Sequence, residues 1–329
     1  MTKEGRHLEM MPPIYVHEYL LYSGVALNAV SVRREFAGVL ICVNGGYGCV
    51  HPWPEFGDAP VKEQLRLLGQ GVTTPVTAMA LRCAELDGAA RRAGVSLFGG
   101  REIPRSHYSW SFAADTEAQM ERVLTEGWPA IKAKGLANYS ETTRFLEACA
   151  QRFEAQGVRL RVDFNGVLDR MAFEQFMEDL PLSVSRALDF VEDPFPYDAE
   201  AWEAVRQKCG VKLALDKGWR DGTLGFDAVV VKPARRDWRT VAQTHPQHTL
   251  VLTSAMDHAL GQMFAAYEAA VALAEGQPLD FCGLCTEHLF EKDAFFERVI
   301  SHGGHLSADR SGGGLGFGEV LEALPWRRL

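Results

Sequence analysis

No stretch of about 20 uninterrupted apolar residues occurs in this sequence of 329, so nothing in it has the length and apolarity of a bilayer-crossing helix. The opening residues, Met-Thr-Lys-Glu-Gly-Arg-His, lack the apolar core of a signal peptide, and a soluble cytoplasmic protein is expected. Positive charge is in the minority: 34 Lys and Arg against 43 Asp and Glu leave a net charge of −9. A field of that sign repels phosphate, which argues against nucleic acid or an anionic membrane as partner. Any anionic ligand must be attracted locally. The seven cysteines are odd in number and show no regular disulfide framework, so they read as reduced thiols. Cys282 and Cys285 have the spacing of a redox or metal pair, but a single CxxC without a second reads as an unreactive packed pair. The run Gly312-Gly313-Gly314-Leu315-Gly316 lacks the lysine that follows in a phosphate-binding loop and reads as a turn. His302 and His305, in a glycine-rich tail, read as surface residues.

What is present is a design used five times. Ala130 to Lys134, Arg159 to Asn165, Leu188 to Glu192, Leu213 to Asp216 and Ala228 to Lys232 are apolar or β-branched runs that reach one ionisable side chain and then break. The end groups are Lys134, Asp163, Glu192, Asp216 and Lys232. Buried parallel strands read as such runs, and in a βα barrel their C-terminal ends open into one mouth. The pattern therefore predicts a pocket in which lysines flank three carboxylates.

The rest of the chain divides around this series. Pro13 to Tyr22 and Val30 to Val43 read as strands, the second opening with Val30 and Val32 alternating with Ser31 and Arg33. Asn44 to Gly48 reads as a turn or hairpin end, and His51 to Asp58 as a loop that could belong to a lid. Val61 to Leu68 and Pro75 to Ala93 follow as helices, closing a smaller α+β domain near Gly99-Gly100. From Ile103 the rhythm becomes strand, helix, strand: strands near Tyr108 to Phe112, at the five runs above, at Thr249 to Thr253 and weakly at Phe281 to Leu284, with amphipathic segments between. Asp216 to Lys232 is short for a crossover helix and should hold a turn or loop. About eight strands suffice to close a barrel. The expected division is 1–100 as the smaller domain, completed by 287–329, and 101–286 as an α/β barrel carrying the site.

Asp163, Glu192 and Asp216 lie about one βα unit apart. Carboxylates crowded together repel unless a divalent cation sits among them, and an all-oxygen donor set suits Mg²⁺ or Mn²⁺ better than Zn²⁺. Lys132 and Lys134, two apart on one strand, point to the same face. A lysine is a poor base at neutral pH, but neighbouring cations would depress it, and one tuned to roughly 7 to 8 could remove a carbon-bound proton. With a carboxylate substrate on the metal, loss of its α-proton gives an enediolate whose second negative charge the cation stabilises.

The ordered set Lys132-Ala133-Lys134, Asp163-Phe164-Asn165, Glu192-Asp193-Pro194, Ala214-Leu215-Asp216 and Val231-Lys232-Pro233 resembles the enolase superfamily, in its branch of o-succinylbenzoate synthases. The likeness continues in Gly46-Tyr47-Gly48, in His51 to Phe56, in Leu252 to Gly261 and in Gly283 to Thr286. It implies a modified (β/α)7β TIM-like barrel under an α+β capping domain, with Mg²⁺ held by Asp163, Glu192 and Asp216 and Mn²⁺ as a substitute. It also implies roles: Lys134 abstracts the α-proton of a cyclohexadiene carboxylate and assists departure of hydroxide as water, Lys132 helps hold the carboxylate, and Lys232 faces it from the other side. Ser254 and Gly283 are implied at the succinyl end, and the product would be an intermediate of menaquinone synthesis. Cys49 and Lys217 stand where relatives often carry acidic residues, and Thr253-Ser254-Ala255 replaces a more serine-rich run. The same lysines would also serve an N-acylamino acid racemase or a dipeptide epimerase, which is the alternative. The expected partner is a small carboxylate, with neither nucleic acid nor membrane.

Overall fold

Apolar and polar side chains alternate from Ile14, and the segment forms a half-buried strand: β1 (Ile14–Tyr22) buries Ile14, Val16 and Leu21 and exposes Tyr15, Leu20 and Tyr22. The computed structural model describes residues 12–24, 27, 33–112, 114–218, 223–309 and 312–329. β1 pairs antiparallel with β2 (Glu35–Val43), and β2 with β3 (Gly46–Val50). The alternation expected over Val30 to Val32 lies outside the described residues. Asn44 and Gly45, both at positive φ, make the two-residue hairpin between β2 and β3. Gly46-Tyr47-Gly48, expected as part of that turn, is instead strand. A Cβ at Gly46 or Gly48 would stand 1.9 Å from Ala84 O or 2.1 Å from Ala80 O, so these glycines let β3 lie directly on a helix. That helix is α2 (Pro75–Arg92), capped by Thr74 in a reciprocal capping box with Thr77, and it follows α1 (Val61–Gly69).

The parallel part is continuous in sequence. It comprises β4 (Tyr108–Ser109), α3 (Thr116–Glu126), β5 (Ala130–Lys134), α4 (Tyr139–Phe153), β6 (Arg159–Asp163), α5 (Arg170–Glu178), α6 (Leu182–Ala187), β7 (Leu188–Glu192), α7 (Ala199–Cys209), β8 (Leu213–Leu215), β9 (Ala228–Val231), α8 (Trp238–Thr244), β10 (Thr249–Leu252) and α9 (Ala259–Ala274). Its sheet runs β10-β9-β8-β7-β6-β5-β4. The eighth position is taken by residues 281–284, which bridge to both edges, Ser106 with Cys282 and Thr253 with Gly283, each parallel. The ring closes through single bridges rather than a full strand, which is why that run read weakly in sequence. β4 stops at Ser109, short of the expected Phe112. α6 was not anticipated, and among the described residues no helix lies between β8 and β9. Trp128, Trp202 and Trp238 are among the largest buried side chains of the barrel wall, and truncating one to alanine should cost about 3–5 kcal/mol.

After the ring the chain returns to the first sheet through β11 (Ile300–His302), β12 (His305–Ser307), α10 (Gly318–Glu322) and β13 (Arg327–Arg328). β13 pairs with β1, giving the order β13-β1-β2-β3. Asp87 of α2, fully buried, accepts from Tyr47 N, Leu315 N and Arg91, and so ties strand, helix and tail together. The result is a modified TIM-like barrel under an α+β cap.

Candidate active site at the barrel mouth

Register places the end groups in one row. Lys134 is the partner of Asp163, Asp163 of Glu192, and Glu192 of Ala214, across four neighbouring strands. Asp216 lies two residues past Ala214, and Lys232 follows the last residue of β9. The backbone turns sharply at these ends: Asn165 and Asp193, just beyond β6 and β7, have φ of 53° and 41°, a left-handed conformation uncommon for residues with a side chain. Asp163 Oδ1 accepts from Asn165 N at 2.9 Å, and Asp193 Oδ1 from Asp216 N at 3.1 Å, so each strand end is held by the next turn.

These groups line a cavity of about 710 Å³ together with the cap loop residues Trp53, Glu55, Phe56 and Asp58. All eight candidates from the sequence, Lys132, Lys134, Asp163, Glu192, Asp216, Lys232, Ser254 and Gly283, line it. The loop read as part of a lid is fastened there: Trp53 Nε1 donates to Ala255 O at 2.9 Å, and Arg235 pairs with Asp58 through both guanidinium branches.

Each carboxylate meets an ammonium. Lys134 Nζ stands 2.5 Å from Asp163 Oδ2, Lys132 Nζ 2.8 Å from Glu192 Oε2 and 3.8 Å from Asp163 Oδ2, and Lys232 pairs with Asp216. The nearest charge to Lys134 is thus a carboxylate, not the neighbouring cation expected from sequence. Burial works against the Lys132 ammonium, but Glu192 and Asp163 outweigh it and hold its pKa above the ordinary lysine value. Burial likewise opposes ionised Asp163, yet Lys134 and Lys132 bring its pKa below the ordinary range. Lys232 does the same for Asp216. Glu192 goes the other way: burial, then the charge of Asp163, raise it. Asp193 is raised further, by burial and by Asp216 and Glu192, and its Oδ2 has no hydrogen-bond partner.

The acids fit a hard divalent cation in kind: three carboxylates, two of them almost wholly buried, in a cluster where burial and like charge raise Glu192 despite the Lys132 ammonium beside it. With the side chains as placed, the lysines supply the compensating charge, and among the described residues no three Asp, Glu, His or Cys groups converge closely enough to hold an ion. Cys282 and Cys285 are buried free thiols, as the lone pair suggested.

Other cavity residues were not assigned to the site from sequence. Lys217, singled out there only as a departure from relatives, donates from Nζ to Asn165 Oδ1 at 2.9 Å and lies 4.7 Å from the Phe56 ring centroid. Thr253, Thr286, Ser109 and His107 form the wall opposite the row of ions. Thr253 and Thr286 lay in the stretches that carried the resemblance; nothing in the sequence pointed to Ser109 or His107. Ser254 Oγ shares a hydrogen bond with Thr286 Oγ1 at 2.7 Å.

The barrel under its cap superposes on solved mandelate racemase and muconate lactonizing enzymes. A muconate lactonizing enzyme from Pseudomonas fluorescens, solved with muconolactone, superposes with a TM-score of 0.74 at 14% identity, covering 96% of this chain and 99% of that one. A dipeptide epimerase from Methylococcus capsulatus, solved with Mg and the dipeptide L-Arg-D-Lys, gives 0.73 at 17%, covering 93% and 99%. Those two show the fold. Residues 14–90 match the model of the o-succinylbenzoate synthase N-terminal domain, and residues 115–221 that of the enolase C-terminal domain-like family. The o-succinylbenzoate synthase of Bdellovibrio bacteriovorus is 32% identical over 327 residues, 94% of this chain and 97% of that protein. The chain belongs to the o-succinylbenzoate synthase family of the enolase superfamily. It is an enzyme by that membership, and the family's class is that of the carbon–oxygen lyases.

Proposed function

We propose that the protein catalyses the dehydration of 2-succinyl-6-hydroxy-2,4-cyclohexadiene-1-carboxylate to o-succinylbenzoate, a step toward menaquinone, in the cytoplasm. The observation that carries the reading is the opposition of Lys132 and Lys134 on β5 to Lys232 beyond β9, with the row of carboxylates between them. Lys134, as the free amine, takes the proton from the carbon bearing the carboxylate. The same proton, now on its ammonium, goes to the departing hydroxyl on the same face, so that water leaves and the ring becomes aromatic. Lys132, held protonated by Glu192 and Asp163, offers a fixed positive charge to the substrate carboxylate. Lys232 offers a second from the opposite side. Asp163, Glu192 and Asp216 would hold Mg²⁺, or Mn²⁺ in its place, which supplies the charge that offsets the second negative charge left by proton loss. Ser254 and Gly283 stand where the succinyl arm would lie. In the same proposal, residues 1–100 with 287–329 form the cap and 101–286 the barrel, a division supported by the pairing of β13 with β1. No helix among the described residues is long and apolar enough to cross a membrane.

The experiment is the loss of the cyclohexadiene absorbance on adding protein and Mg²⁺. Rapid loss that a chelator and Lys134→Ala both abolish supports the assignment. Folded, metal-loaded protein that leaves the substrate unchanged overturns it. A second reading, as an N-acylamino acid racemase or dipeptide epimerase, is favoured by one observation: Lys134 and Lys232 are matched in exposure, 24% and 26%, as two bases serving opposite faces of one carbon would be. Exchange of the α-hydrogen of N-succinyl amino acids in D₂O, with racemisation, tests it.

A further inference from the structure

The cavity has two unlike walls. One carries the lysines and carboxylates of β5 to β9. The other, made by residues 107–109, 253–254 and 283–286, has no charged side chain lining it and presents hydroxyls, one imidazole and a bare glycine. The imidazole is His107, 1% exposed, at the entry to β4. Its Nδ1 lies 3.1 Å from Arg161 Nη1. A guanidinium has five donors and no acceptor, so Nδ1 can only accept, and the proton of the neutral ring is confined to Nε2. Arg161 cannot turn away to relax this. It is fully buried inside the barrel, with Nε on Asp189 Oδ2 at 2.8 Å, Nη1 on Phe281 O at 2.6 Å and Nη2 at 2.9 Å from Asp280 Oδ1. Burial, then Lys132 and Arg161, keep the imidazole in its neutral form by lowering its pKa well below the ordinary value.

The opposite edge of the ring is the one aimed at the cavity wall. A Cβ built on Gly283 would come within 3.0 Å of both Cε1 and Nε2, and within 2.7 Å of Thr253 Cγ2. The glycine thus leaves the Nε2 edge uncovered where any other residue would press on it. We infer that His107 is a substrate-contact residue whose fixed Nε2–H donates to the carbonyl oxygen on the side arm of the bound carboxylate. Arg161 acts only through it, as a positioning residue.

This rests on the proposed reading of the substrate as a carboxylate with a carbonyl-bearing arm, and the test separates the two. The ligands are o-succinylbenzoate and its analogue 2-(3-carboxypropyl)benzoate, in which a methylene replaces the ketone, titrated calorimetrically into the Mg²⁺-loaded full chain. Wild type should bind the ketone about tenfold more tightly than the methylene compound. In His107→Leu that ratio should fall below about twofold, and in His107→Gln, whose amide can accept from Arg161 and donate into the cavity, it should be largely restored. A residue that only packs against Arg161 would weaken both ligands alike, and an unchanged ratio in His107→Leu overturns the inference. If wild type binds neither ligand, the substrate reading itself falls and takes the inference with it. Should the leucine variant not fold, long-range ¹⁵N spectra of the wild-type histidines decide. One neutral, Nε2-protonated ring that responds to the ketone ligand and not to the methylene ligand is expected, and absence of such a ring overturns the inference.

Discussion

Ionisable groups sit at both ends of the barrel interior, and the two clusters differ in how firmly each charge is held. Deep in the ring, Arg159 and Arg161 meet Asp189 and Asp280 through several contacts each: Arg159 Nη1 to Asp189 Oδ1 at 3.0 Å, Arg159 Nη2 to Asp280 Oδ1 at 2.5 Å, and Arg161 as described above. Arg159 also lies 4.2 Å from the Phe281 ring centroid and Arg161 4.5 Å from that of Phe190. At the mouth, Lys134 and Lys232 each rest on one carboxylate, on flexible stems about a quarter exposed. A planar guanidinium with several partners is fixed in place, whereas an ammonium with one partner can exchange it for a substrate or surrender a proton. On the proposed reading, the barrel keeps arginine for structure and lysine for chemistry.

The comparison can be broken most severely at the mouth. Lys134→Ala should lower the dehydration rate by about 10²–10⁴-fold, because it removes the proposed base. Below it, Arg161→Met leaves Asp189 and Asp280 short of a partner and should cost about 3–5 kcal/mol in denaturant unfolding.

A third kind of buried charge sharpens the contrast. Asp257 is fully buried, neither carboxylate oxygen has a hydrogen-bond partner, and burial pushes its carboxyl up to about 7 from an ordinary 3.8. Between those values the folded chain keeps a proton that the unfolded chain has lost. Stability from this group is therefore whole below about pH 4, declines as pH rises, and levels off above about 7, a change on the order of 4 kcal/mol. Asp257→Asn should flatten that part of the stability profile, as followed by chemical denaturation across pH 4–8. The smallest effect is expected at the lid. Trp53→Phe deletes the indole donor to Ala255 O and should cost about 1 kcal/mol, with a several-fold rise in KM and little change in kcat.

The strand ends were legible because each signal is local. An apolar run that stops at Asp163 or Lys134 states both the burial of the strand and the position of its last side chain. The helices at 116–126 and 199–209 were legible from their periodicity, whereas α6, six residues behind Pro181, is too short to show one. Gly46-Tyr47-Gly48 misled because glycine signals both a turn and a close backbone approach, and the chain that approaches, at Ala80 and Ala84, lies more than 30 residues on. His107 was invisible for a related reason. Its tautomer is set by a guanidinium 54 residues away, and its Nε2 edge is left uncovered by a glycine of the closing segment. A partner's chemistry, not the residue's own surroundings in sequence, gives it a role.

The pairing of β13 with β1 bears on how the protein is made. Barrel strands neighbour one another in the order in which they leave the ribosome, so the parallel sheet can grow as synthesis proceeds. The cap sheet is different: its strand begun at Ile14 has an open edge until Arg327 and Arg328 arrive, after the whole parallel sheet. An unpaired strand edge is a site of association with other chains. Until then the nascent chain carries an incomplete cap sheet beside a barrel that can already be forming, and the cap sheet is completed after the barrel strands.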